Sequence, residues 1–135
     1  EIKRFDQWQR ATRIHYSLGG VMFFQKGRYR EAIREFQKTL ELQPGFVPAY
    51  NYLGKSYAIL NDFGAAAESF QWVIRLAPQI DTGYLNLGIL HELKGDPSKA
   101  LFFLQKALSL NPRNEKAKKH LEAVISITEQ RQGQP

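Results

Sequence analysis

Apolar positions in this chain return every three or four residues, the spacing that keeps one stripe of a helix facing a neighbour, and short breaks interrupt the stripes at regular intervals. The pattern predicts paired helices over residues 13–26 with 29–42, 47–60 with 63–76, and 81–94 with 97–110. Helix punctuation agrees with these breaks. Asp96 ahead of Pro97 has the chemistry of an N-cap followed by a first-turn proline, and Asp62 is placed to cap in the same way. Pro44, Pro78 and Pro112 follow the second helix of each pair, where a residue without an amide donor ends the ladder. At the amino end Ile2, Phe5, Trp8, Thr12, Tyr16 and Phe23 hold helical spacing with no proline before Pro44. That predicts one long first helix or, for residues 1–12, the remnant of a helix from a preceding unit. Residues 115–129 predict a seventh helix, with Ala117, Leu121, Val124 and Ile125 covering the last apolar seam while Lys118, Glu122 and Glu129 face water. Residues 130–135 read as a frayed polar tail.

The pairs also repeat one another. Tyr16, Gly20, Phe23, Gly27, Ala32, Phe36 and Pro44 recur 34 residues later as Tyr50, Gly54, Tyr57, Asn61, Ala66, Phe70 and Pro78. They recur again as Tyr84, Gly88, His91, Gly95, Ala100, Leu104 and Pro112. Over residues 13–114 the series resembles the tetratricopeptide repeat family, with Tyr where that pattern opens on Trp and with Gly19 where Leu is usual. The resemblance implies an all-α fold: a right-handed α-solenoid of three helix-turn-helix repeats (13–46, 47–80, 81–114) closed by a C-terminal capping helix. The glycines and alanines at fixed register are expected where paired helices approach closely, and a larger side chain there would overpack the contact.

Composition bounds the function. A chain of 135 residues, 43% hydrophobic, supports a single folded module. It has no apolar run of membrane-spanning length and no charged-then-apolar targeting segment at its start. Opening on Glu1, it is expected to be a fragment or a processed product, with any anchor, signal or extra domain upstream. The compartment stays open between cytoplasm and periplasm. The absence of cysteine excludes disulfides, thiolate zinc sites and thiol catalysis. The net charge of +6 is uneven: residues 1–40 carry nine basic against four acidic side chains, whereas residues 41–112 carry five against six. A basic face at Lys26, Arg28, Arg30, Arg34 and Lys38 would suit an acidic partner, phosphate backbone or anionic lipid. The plainer alternative is a solvated helix face in which Glu31 and Glu35 neutralise Arg30 and Arg34.

Catalytic patterns fail on inspection. His91-Glu92 begins like a zinc-protease helix, but Gly95 stands where the second histidine is required. His15 and His120 lack metal-ligand spacing, and Ser17 lies two residues from His15, on a different helix face. The expectation is a non-enzymatic binding module with no metal and no cofactor. In the family it resembles, the first helix of each pair lines a concave groove. The resemblance therefore implies a peptide-binding groove of Ser17, Val21, Phe24, Asn51, Tyr52, Lys55, Ile59, Leu85, Asn86, Ile89 and Glu92, to which the cap helix adds Lys116, Lys119, His120 and Ala123. Members that clamp a chaperone's C-terminal carboxylate place Lys, Asn and Arg at set positions. In that register Asn86 and Lys116 match, Asn51 and Lys55 are exchanged, and His120 replaces Arg, so an anionic peptide segment is one expected ligand. Two readings of other classes stand beside this scaffold. One is homo-oligomerisation or docking in a larger complex through Phe5, Trp8 and Phe102-Phe103. The other is nucleic-acid binding through the basic N-terminal third, which lacks the regular base-reading set of helical-repeat RNA readers.

Overall fold

The computed structural model describes residues 1–134; of the expected tail, Pro135 lies outside the described residues. Helix α1 comprises Ile2–Arg13, a π-helical stretch Ile14–Val21 and Met22–Gln25, joined without leaving helical geometry at Arg13, Ile14 and Met22. Of the two N-terminal expectations, then, the long first helix is what forms. It is followed by α2 (Tyr29–Leu42), α3 (Val47–Ile59), α4 (Phe63–Leu76), α5 (Thr82–Leu93), α6 (Pro97–Leu110) and α7 (Glu115–Gln132). Helix α7 runs past the expected end at 129, so Gln130, Arg131 and Gln132 are helical rather than a frayed tail.

The turn inside each pair is built the same way three times. Gly27, Asn61 and Gly95 take positive φ of 76°, 63° and 77°. At each, two backbone bonds close the helix end, as when Gly27 N–H donates to Phe24 O and Arg28 N–H to Phe23 O. This is a Schellman closure, and it needs a residue that tolerates the left-handed region. Asp62 and Asp96 then cap the next helix, accepting from Ala65 N–H at 3.3 Å and Lys99 N–H at 3.2 Å.

The chain divides into two compact units, Glu1–Trp72 and Val73–Pro135. In the first, Ala32, Ile33, Phe36, Ala49 and Leu53 form a core that Tyr16, Val21, Phe24 and Tyr52 pack against. A Cβ on Gly20 would lie 2.3 Å from the Phe36 ring, and one on Gly54 2.3 Å from the Phe70 ring, so these glycines are where the helices touch. The second unit centres on Leu85, Ala100, Leu104, Ala107, Ala117 and Val124. Gly88 meets Leu104 there as Gly54 meets Phe70. Asp81 accepts from Asn111 Nδ2 at 3.1 Å and Asn114 Nδ2 at 2.6 Å, tying the start of α5 to the α6–α7 turn.

Candidate functional site

In the first unit the expected groove residues form a graded surface of aromatic base and polar rim. The Tyr52 ring stacks on Phe36 at 5.3 Å with 15° between planes and meets Phe24 edge-on at 5.0 Å. Phe24 in turn packs edge-on against Tyr29, and Val21 joins the same cluster. Burial, and then the neighbouring Tyr52, push the Tyr16 phenol above its ordinary value. Charge comes from Lys55, whose ammonium lies over the Tyr52 ring at 5.5 Å from its centroid, a cation–π contact that orients an exposed side chain. Ser17 and Ile59 are exposed, and Asn51 is half-buried. Ser17 Oγ donates to Arg13 O one turn back.

In the second unit the expected set separates. Leu85 is 8% exposed and belongs to the core with Ala117 and Val124, and Asn86 is 6% exposed. Leu85 is covered in part by capping-helix residues, which a repeat position alone cannot anticipate, and both residues offer almost no surface to a ligand. Ile89 is half-buried against that core. Lys116, Lys119 and Ala123 are exposed on α7. His120 Nδ1 sits 2.6 Å from Glu92 Oε2. A carboxylate of the chain itself therefore already holds one of the donors expected to receive a ligand carboxylate.

Three features went unread in the sequence. His15 Nδ1 lies 2.7 Å from Glu35 Oε2, and Lys38 Nζ lies 3.4 Å from the other oxygen of the same carboxylate. Burial pushes the Glu35 carboxyl up, but the His15 hydrogen bond and the Lys38 charge outweigh it and hold it below 4.5. The signal was Gly19: a Cβ there would lie 2.7 Å from Glu35 Cγ, so the Glu35 side chain passes over bare backbone on its way to His15. Second, Trp8 Nε1 donates to the carbonyl of Leu42, the last residue of α2, which gives an otherwise orphaned helix-end acceptor its partner. Trp8 is thus engaged internally, and Phe103 likewise stacks on His91 at 5.4 Å, leaving Phe5 and Phe102 as the exposed members of the expected aromatic ends. Third, Glu31 pairs with Arg28 and Glu35 with His15 and Lys38, so neither neutralises Arg30 or Arg34.

His91 occupies its aromatic slot as packing predicts, with Nδ1 buried and unbonded. Burial, then the charge of Lys94, lower its imidazole below 6.5. Among the described residues no group of three His, Cys, Asp or Glu could hold a metal ion, and no helix is long and apolar enough to cross a membrane.

Comparison with known proteins bears on the repeat itself. Family models described as Tetratricopeptide repeat match residues 82–114 and 47–80, and one described as TPR repeat matches residues 20–60. Heat shock protein STI1 of Saccharomyces cerevisiae is 31% identical over 126 residues, covering 92% of this chain and 21% of that protein. The Cell division cycle protein 27 homolog of Caenorhabditis elegans is 29% identical over 99 residues, covering 73% of this chain. The chain spans only 13% to 21% of the length of these curated relatives. Among solved structures, the first TPR of Spaghetti (RPAP3), bound to the HSP90 peptide SRMEEVD, superposes with a TM-score of 0.80 at 19% identity. That match covers 88% of this chain and 94% of that one. With its three Schellman-closed helix pairs, its glycine–aromatic contacts and these matches, the chain belongs to the tetratricopeptide repeat family.

Proposed function

We propose that this chain is a non-catalytic protein-interaction module that holds a peptide segment of a partner against the first helices of its repeats. The observation that carries the reading is the first unit's face of Tyr52, Phe24 and Lys55: an aromatic base with an oriented cation at its edge. Apolar peptide side chains would lie on the rings while Lys55 meets an acidic side chain or chain end. Ser17, Val21, Asn51 and Ile59 complete that set. In the second unit Ile89, Lys116, Lys119 and the free ring nitrogen of His120 offer a smaller one. The peptide held by the TPR of Spaghetti, SRMEEVD, has this mixed acidic and apolar character and supplies a ready probe.

The test is fluorescence anisotropy with labelled SRMEEVD, alongside partner capture from native lysate, using wild type and Asn51→Ala/Lys55→Ala. Binding or capture that the variant loses while its melting temperature holds supports the face. A partner kept equally by the variant would remove peptide binding from these residues.

A further inference from the structure

A cleft of the first unit lies between α2 and α3, on residues other than those of the Tyr52, Phe24 and Lys55 face. It measures about 410 Å³ and is lined by Arg30, Ile33, Arg34, Tyr57, Leu60 and Asp62. We infer that this cleft is a second binding site, for an acidic peptide segment that presents a carboxylate next to a branched apolar side chain.

Arg30 and Arg34 stand one turn apart on α2, hence on one face of the helix, and both are exposed. The two carboxylates next to them on α2 are committed elsewhere. Glu31 Oε2 pairs with Arg28 at 2.6 Å, and Glu35 is shared between His15 and Lys38. Asp62, at the rim, lends Oδ1 to the amide that opens α4 and makes no ion pair with either arginine. Elsewhere on the local basic face Arg28 additionally lies over the Phe23 ring at 5.1 Å. Arg30 and Arg34 thus line one cleft, with Asp62 at its rim, and neither makes an ion pair among the described residues.

A guanidinium presents a planar fork of donors that a carboxylate matches with two parallel bonds, and two such forks a turn apart can hold two acidic groups or grip one from both sides. The hydroxyl of Tyr57 adds a donor: Gln37 Nε2 donates to it at 3.2 Å, which leaves its own proton free for a ligand oxygen. Beneath these groups Ile33 and Leu60 form an apolar floor that bare phosphate would leave uncovered but a leucine-sized side chain would fill. The volume suits one or two side chains, and the polar groups converge from two helices, so the match is to a short acidic and apolar motif rather than an extended polyanion.

The experiment is amide chemical-shift mapping on the isotope-labelled chain with the probe acetyl-Glu-Leu-Glu-amide, its neutral counterpart acetyl-Gln-Leu-Gln-amide, and inorganic phosphate. The acidic probe should shift the amides of Arg30, Arg34, Tyr57 and Leu60, and Arg30→Gln/Arg34→Gln should weaken it at least about tenfold. Lys55→Ala should leave it unchanged, which separates this cleft from the first-helix face. Tyr57→Phe should weaken it less, with the fold intact because the ring stays. Equal shifts from the neutral probe, shifts centred on Tyr52 and Lys55, or a full response to phosphate alone would each overturn the assignment.

Discussion

A single methyl group separates two kinds of glycine in this protein. At Gly54 a Cβ would stand 2.3 Å from the Phe70 ring, and that ring is 3% exposed with nowhere to retreat. Gly54→Ala should therefore cost about 1 to 3 kcal/mol, read as a lower denaturation midpoint. Gly64, in the first turn of α4, meets nothing within 4 Å, so Gly64→Ala should stabilise by about 0.5 to 1 kcal/mol. Finding both variants destabilised would mean the second helix is not tolerant where it looks open. His91 and Glu35 both tie stability to pH. Burial holds the His91 imidazole below 6.5, so the unfolded chain takes up that proton first. Its contribution to stability is complete above 6.5 and is lost as pH falls toward the lowered value. His91→Phe keeps the stack on Phe103 and should flatten that part of the stability–pH curve; an unchanged slope there would assign it to another group. Glu35 acts in the same direction but further down, since its carboxyl is held below 4.5: its share is intact above that pH and fades as pH drops through the lowered value. Glu35→Gln should erase only this lower-pH component.

At the scale of elements, punctuation carried more information than propensity. Helices Tyr29–Leu42, Phe63–Leu76 and Pro97–Leu110 begin and end where aspartate, proline and the left-handed turn residues put them. Asn61 is the one turn position of its kind without glycine, and Asn61→Gly should leave the closure intact while Asn61→Ala costs about 1 kcal/mol. The π-helical stretch Ile14–Val21 was not legible, because apolar spacing encodes which side chains face the core and not which carbonyl each amide reaches. Gly19 in place of leucine was visible, yet what it adjoins, the passage of Glu35 to His15, depends on a residue on another helix. The candidate site was legible in the same uneven way. Tyr52, Phe24 and Lys55 lie together as the repeat register implied, whereas Leu85 and Asn86 occupy equivalent register but are covered within their own unit. Register specifies the face of a helix; whether another helix lies on that face is a property of the neighbours. The anchor of α1 illustrates the cost of such a neighbour contact. Trp8→Phe keeps a ring but removes the donor to Leu42 O, and should lower stability by about 1 kcal/mol with the loss of amide protection concentrated at the start of α1.

For the molecule as a whole, the relevant question is how far a local defect travels. A helical repeat chain gains its stability from each helix and its immediate neighbours, with few contacts between residues distant in sequence. The two units reflect this: the core of the first draws on α1, α2 and α3, and that of the second on α5, α6 and α7. Leu104, 0% exposed against Gly88, belongs wholly to the second core. Leu104→Ala should remove about 2 to 5 kcal/mol of packing there. If stability is summed locally, native-state hydrogen exchange will show faster exchange across α5, α6 and α7, while the amides of α2 and α3 keep most of their protection. The binding faces make this more than a folding question. Lys55 and the Arg30–Arg34 cleft both lie in the first unit, so a chain damaged at Leu104 should still shift with the acidic probe. Loss of protection and of probe binding throughout the chain would instead mean that it folds as a single cooperative body, in which no unit holds its ligand alone.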